Sequence, residues 1–295
     1  MASQGYAIPQ EKATIIGSLH SSPKSALRYS NFKPAITHKN LHDFVRDLSI
    51  PTVNRGPLSK PIVAIIIPNG PLLAATVIAV SNSYVAAPIN PAAGPAQVKA
   101  DIELSGASAI ISQISEASTL ELESIGLDLF FIQEDAKAGI RLKNGASNSS
   151  GRLGPNQMDD IAMVLFTSGT SGNRKVVPIT VGGILHGVQI VVVSWGLTSK
   201  DICLNMMPLY HMYVCPPLYL RINRLADALS RGGIIRNIFA PLFSGGSTIC
   251  CPSFDPNLFW DQVEEAQPTW YYASPTMHSM ILEESQNRPS ALAKS

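Results

Sequence analysis

The stretch AMVLFTSGTSGNRKVVPIT, Ala162 to Thr180, sets an apolar run directly before a cluster of hydroxyls, glycines and two adjacent cations. Thr167, Ser168, Thr170 and Ser171 offer hydroxyl donors within one bend, and Gly169 and Gly172 let the backbone approach a ligand closely because no Cβ intervenes. Lys175 adds a compact, flexible positive charge, and Arg174 a second one compatible with phosphate. The donor set suits an anion. The pattern G-x-x-x-x-G-K-[ST] is not met, because Asn173 and Arg174 follow Gly172 and Val176 follows Lys175, which argues against a Walker-type NTPase. A Ser/Thr/Gly surface turn has much the same composition, so these residues alone leave both readings open.

A phosphate loop needs a frame, and the sequence before it reads as one. IVAIIIP is a buried strand ending at Pro68, followed by a turn and a helix in NGPLLAATVIAVSNS and a strand in YVAAPIN. PAQVKADIELSGA opens with proline, sets Val98, Ile102 and Leu104 near helical spacing and closes on Gly106; SAIIS is the next strand. This β–α alternation predicts a parallel sheet covered by helices, an α/β fold. Residues 143–157 are polar and glycine-rich and read as a mobile loop between two layers. A strand from Asp160 to Thr167 leads into the loop. Val176–Leu197 carries no Asp, Glu, Lys or Arg and reads as a buried helix and not a membrane span, because Pro178, Gly182 and Gly183 interrupt it. ICLNMMP is a further strand, and NIFAPLFSGGSTICCP a helix, a glycine turn and a strand.

Composition narrows the class. The chain has 295 residues, 45% of them hydrophobic, which is enough for one large or two ordinary domains with a real core. A net charge of +1 without like-charge runs predicts no nucleic-acid partner. Cys203, Cys215, Cys250 and Cys251 form no C-x-x-C pair and read as reduced, mostly buried thiols; with no secretory signal in MASQGYAIPQEK, the expected location is the cytoplasm, a peroxisomal one being left open for a full-length version. His186 and His278 lack a suitably spaced second ligand and read as core or helix-surface histidines, so no metal ligand is assigned. Trp195, Trp260, Trp270, Tyr271 and Tyr272 read as packing residues, and Asp255 as the cap of FDPNLFW.

The loop FTSGTSGNRK resembles the phosphate loop of the adenylate-forming superfamily, the acyl-CoA synthetases and nonribosomal-peptide-synthetase adenylation domains. The likeness extends over nearly the whole chain, through VAIIIPNG and APIN upstream, MPLYHM, and GGIIRNIFAPLFSGGSTICC with TWYYASPTMHSMIL downstream, whose wording is similar to fungal members. It implies layered parallel-sheet subdomains of the family's N-terminal domain, here 1–185 with the phosphate loop and a partial second one, 186–295. It also implies ATP with magnesium, a small carboxylic acid substrate, and coenzyme A or the phosphopantetheine arm of a carrier protein as acyl acceptor. By position, Thr167, Ser168, Gly169, Thr170, Ser171, Gly172 and Lys175 match the residues that hold the β- and γ-phosphates, with Lys175 in the catalytic role. His211 matches the border of the acyl site, and Tyr272–Thr276 the neighbourhood of the acyl pocket. Arg174 stands where proline is commonest and Val176 where glycine is.

Several family segments have no counterpart here: the aromatic-Gly-x-Thr-Glu segment, the ribose-binding aspartate, the hinge and the small C-terminal domain with its lysine. The expectation is a second subdomain that is incomplete, a C-terminal domain that is absent and an acid-activating ligase crippled by truncation; the alternative is a non-catalytic remnant acting as a binding module. Relatives run from the histidine segment almost directly into the GGIxRN helix, so residues 213–231 are expected as an insertion. Leu218, Ile222, Leu225 and Leu229 would suit a surface helix, but a retained intron is the preferred reading. Met212-Tyr213-Val214 is encodable with a GTATGT donor, Ala226-Asp227 with a CTGAC branch site and Arg231 with a terminal AG, and the excised length keeps the frame.

Overall fold

The computed structural model describes residues 13–51, 60–135, 139–143, 153–167, 174–210 and 232–288. A short helix α1 (Ile15–Ser18) leads to strands β1 (Ser25–Tyr29) and β2 (Ile36–Thr37) and helix α2 (His38–Asp47). The expected alternation follows: β3 (Ile62–Ile66), α3 (Pro71–Ser83), β4 (Val85–Pro88), α4 (Pro95–Ser105), β5 (Ala109–Ser112) and α5 (Ile114–Thr119). Helix α4 starts at Pro95, whose missing N–H has no partner to lose there, and stops at Gly106, which takes the left-handed conformation at φ +68°. Its buried face is Val98, Asp101, Ile102 and Ser105. Leu104, though near helical spacing with Val98 and Ile102, is 47% exposed.

Two hairpins close the first sheet. β6 (Asp128–Asp135) pairs with β7 (Gly139–Lys143), and β8 (Ile161–Thr167) with β9 (Lys175–Thr180), both antiparallel. The sheet runs β7-β6-β5-β3-β4-β8-β9, parallel throughout its interior. Strand β9 corrects the reading of Val176–Leu197 as one helix. Pro178 is tolerated because β9 is an edge strand, where a missing N–H costs no ladder bond. Helix α6 (Val181–Trp195) begins only after Thr180, whose hydroxyl accepts the N–H of Gly183 at 3.0 Å. Among the described residues no helix is long and apolar enough to cross a membrane.

The second sheet contains β10 (Ile202–Asn205), β11 (Ser247–Cys250) and β12 (Trp270–Tyr271), in the order β12-β10-β11-β1-β2. Strand β1 lies parallel to β11, with Leu27 opposite Thr248. The sheets therefore do not divide the chain at 185/186: that boundary falls inside α6, and β1 and β2 belong with strands that come after residue 200.

Helix α3 packs between the sheets, touching β1 on one side and β3, β4 and β8 on the other, and all of its residues are buried. Its small apolar sequence suits that place, since a helix apolar all round has no solvent face. Asn156 binds its C-terminal end. The Asn156 N–H donates to the Asn82 carbonyl at 2.6 Å, and Nδ2 donates to the carbonyls of Ser81 and Tyr84 at 2.9 and 2.8 Å. The polar stretch 143–157 is thus not mobile at Asn156, which is 1% exposed. The helix end needs donors for its last carbonyls, and this residue supplies them. Residues 144–152 lie outside the described residues.

Candidate active site

Thr167 is the last residue of β8 and Lys175 the first of β9, and the two are cross-strand partners. The hairpin register therefore brings both ends of the glycine-hydroxyl loop to one place at the sheet's edge. Thr167 is partly buried and Lys175 exposed. Among the described residues no carboxylate pairs with Lys175. Ser168, Gly169, Thr170, Ser171 and Gly172 lie outside the described residues, as does His211.

Arg174, compatible in charge with phosphate, is engaged elsewhere. Its guanidinium Nη1 donates to Asp101 Oδ2 on α4, and Asp101 Oδ1 accepts Gln97 Nε2 at 2.8 Å. The charge is engaged with a buried carboxylate and not held free for phosphate. Val176 packs on the apolar cluster of Ile66, Val98, Ile102 and Phe166, which covers the same face of the sheet.

Strand β4 neighbours β8, so the loop opens on the side where β3 and β4 end. That side holds a crevice of about 640 Å³ between the two sheets, with Asn69, Asn90, Met207, Tyr210, Phe254 and Ser274 on its walls. These residues follow the carboxyl ends of β3, β4, β10, β11 and β12, where open parallel sheets bind their ligands. Ser274 lies within the stretch Tyr272–Thr276 that the family resemblance implies is near an acyl pocket. Tyr272 itself stacks beneath Arg236, with the guanidinium carbon 3.7 Å from the ring centroid.

Asn69 joins the sheets across this crevice. Its Nδ2 donates to the Cys251 carbonyl at 2.9 Å and more weakly to that of Met207 at 3.4 Å, while Oδ1 accepts the Leu209 N–H at 3.2 Å. Tyr210 adds a second tie, its hydroxyl donating to the Ile67 carbonyl at 2.7 Å. Burial pushes that hydroxyl's pKa up, so it stays a donor. The segment that leads to His211 is thereby fixed to the end of β3. Asn69 also lines a second opening of about 720 Å³, on whose wall Tyr29 donates to Glu134 Oε2 at 2.5 Å. Sequence reasoning gave no role to Asn69, Tyr210 or Asp101. Asp101 had a signal: an acid at helical spacing with Val98 and Ile102 has to find a partner once buried.

The remaining candidates have local roles. Asp255 caps its helix, accepting the Asn257 N–H at 2.9 Å. His186 Nδ1 donates to the Gly182 carbonyl within α6, and His278 stands against Tyr271 on a helix surface. Trp260 is buried with Nε1 donating to the Ile281 carbonyl, and Trp195 meets Trp270 edge-on at 5.2 Å. Cys203, Cys250 and Cys251 are free and buried; burial pushes the Cys251 thiol up to about 12, leaving it protonated and unreactive at neutral pH.

The model of the AMP-binding enzyme family matches residues 21–222, a range that includes β8, the loop, Lys175 and the segment through Tyr210. The chain belongs to the AMP-binding enzyme family. Among AMP-binding relatives, the acyl-CoA synthetase FUM10 of Gibberella moniliformis is 25% identical over 84% of this chain and 45% of its own length. The oxalate–CoA ligase of Arabidopsis thaliana is 25% identical over 86% of this chain and 48% of its own. The chain thus spans about half the length of the curated relatives it matches. ATP-bound MatB from Rhodopseudomonas palustris shares the fold with a TM-score of 0.70 at 18% identity, covering 96% of this chain and 53% of MatB. A nonribosomal peptide synthetase, FmoA3, gives a TM-score of 0.73 at 18% identity, covering 95% of this chain and 28% of that one.

Proposed function

We propose that this chain supplies the phosphate-binding side of an ATP-dependent ligase that activates a carboxylic acid. The observation that carries the reading is the Thr167–Lys175 pairing, which closes a glycine-hydroxyl loop beside an ammonium group free of carboxylates among the described residues. In the reaction, an oxygen of the acid attacks the α-phosphorus of ATP and pyrophosphate leaves. The acyl group of the resulting adenylate then passes to the thiol of coenzyme A or of a carrier protein's phosphopantetheine arm. Negative charge grows on the leaving pyrophosphate, so donors fixed around the β- and γ-phosphates stabilise the transition state more than the ground state. Lys175 contributes the charge, Thr167 a hydroxyl at the strand end, and Ser168, Gly169, Thr170, Ser171 and Gly172 the remaining hydroxyls and N–H groups. His211 borders the acid. The named relatives, a fungal acyl-CoA synthetase and a plant CoA ligase, support the acid-activating reading. Among the described residues no group of three His, Cys, Asp or Glu side chains converges as a metal site, so no residue is assigned to the magnesium that accompanies the nucleotide.

Because the 295 residues correspond to about half of such relatives, the chain alone is proposed to bind triphosphate weakly and not to complete adenylation. The same partial coverage carries the second reading, a non-catalytic binding module built on the two sheets. ATP–pyrophosphate exchange with a panel of carboxylic acids, run beside calorimetric titration with tripolyphosphate, separates these readings. Weak binding without exchange is the expected result. Robust acid-dependent exchange would show the chain to be a working enzyme, and absence of any triphosphate binding would leave only the module.

A further inference from the structure

The residue preceding Lys175 is bound to a different element from the one that bears it. Arg174 reaches from the start of β9 to Asp101 on α4, where the carboxylate is 2% exposed and also holds Gln97 Nε2. Burying a carboxylate is costly unless it is paired and hydrogen-bonded, and each oxygen of Asp101 has a donor. The Arg174 side chain is itself only 29% exposed. One residue after Lys175, Val176 packs on the cluster that α4 covers. Lys175 is therefore flanked by two anchors to the same face, one ionic and one apolar, while its own side chain remains exposed.

We propose that Asp101, acting through Arg174, is a positioning residue for Lys175: the ion pair holds the returning limb of the hairpin so that the ammonium stands opposite Thr167. An exposed lysine has a large rotamer entropy, and fixing its backbone leaves only the side chain to be ordered when an anion binds. Arginine suits the tether because its guanidinium stays charged and is more weakly hydrated than an ammonium. The inference rests on the phosphate-binding reading above.

The test is a double-mutant cycle on the full 295-residue chain, with tripolyphosphate as the probe. Asp101→Asn keeps the size of the side chain and removes its charge, and it is expected to weaken binding about tenfold, the effect of losing one charge-assisted contact. In a Lys175→Ala background the same substitution should change affinity less than twofold, because the group it positions is gone. Equal weakening in both backgrounds would mean a general loss of structure and would overturn the proposal, as would unchanged affinity in Asp101→Asn. Hydrogen exchange provides an arm that needs no ligand: the amides of 175–177 should exchange at least tenfold faster in Asp101→Asn, with those of β3 and β5 unchanged. If the parent chain binds no tripolyphosphate, the phosphate reading fails and exchange alone decides the tether. Unaltered exchange at 175–177 then overturns it.

Discussion

Asn69 Nδ2 and the Cys251 carbonyl oxygen lie 2.9 Å apart, a hydrogen bond that joins the end of one sheet to the end of the other. With the Leu209 and Met207 contacts, one amide side chain serves three backbone groups. Asn69→Ala leaves them without these partners in a partly buried place, and the expected loss of stability is about 1–3 kcal/mol. Chemical denaturation checks this, and Asn69→Asp should not restore the parent stability, because a carboxylate accepts from Leu209 but cannot donate to Cys251. An unchanged midpoint in both variants would show that Asn69 does not hold the sheets together.

Lys175→Ala should separate binding from stability. The side chain is exposed and unpaired among the described residues, so the unfolding free energy should move by less than about 0.5 kcal/mol. Tripolyphosphate affinity should fall tenfold or more, roughly the loss of one charge-assisted hydrogen bond. Calorimetry on the folded variant measures both quantities, and undiminished affinity would remove this hairpin from the phosphate site.

How much of this was legible in the sequence depends on the range of the interaction. Strands β3, β4 and β5 and helices α3 and α4 were readable because apolar runs, Pro95 and Gly106 act locally. Strand β9 was not, since Pro178 and the apolar run after it mimic an interrupted helix until the edge position is known. Strand β1 has no such local signal, because its parallel partner lies near the other end of the chain. At the candidate site, the sequence singles out Thr167 and Lys175, and the register of β8 and β9 sets them opposite each other. The sequence could not show that Arg174 turns away to Asp101, because that depends on how α4 packs on the sheet.

His38 sets a pH dependence. It is 1% exposed, its Nε2 donates to the Gly246 carbonyl at 2.9 Å, and its Nδ1 has no partner among the described residues; burial lowers its pKa from the ordinary 6.5 against the pull of the Gly246 hydrogen bond, helped by the nearby His20 and Lys24. Below 6.5 the unfolded chain takes up a proton that the folded chain refuses, so this contribution is full above 6.5 and fades as the pH falls toward the lowered folded value. Denaturation midpoints measured between pH 7 and 5 should fall more steeply for the parent than for His38→Gln. Parallel slopes would show that His38 titrates alike in both states.

The stretch 213–231 lies outside the described residues and is proposed as an insertion of intron origin. Sequencing of the mature transcript should find codon 212 joined directly to the codons for GGIIRN. A chain lacking 213–231 should fold with an unfolding midpoint no lower than the parent's. Messages that always retain these codons, over genomic bases without donor, branch and acceptor signals, would establish the segment as genuine protein.

The place of β1 between β2 and β11 also bears on synthesis. His38 and Gly246, which meet through a hydrogen bond beside this strand, are 208 residues apart in sequence. At ribosomal rates of roughly 5–20 residues per second, the N-terminal strand waits about 10–40 s after emerging before its parallel neighbour exists. The seven-stranded sheet, whose strands all come from residues 62–180, can assemble during that interval. The second sheet cannot, so a nascent chain carries Ala26 and Leu27 without their final cover until β11 clears the exit tunnel.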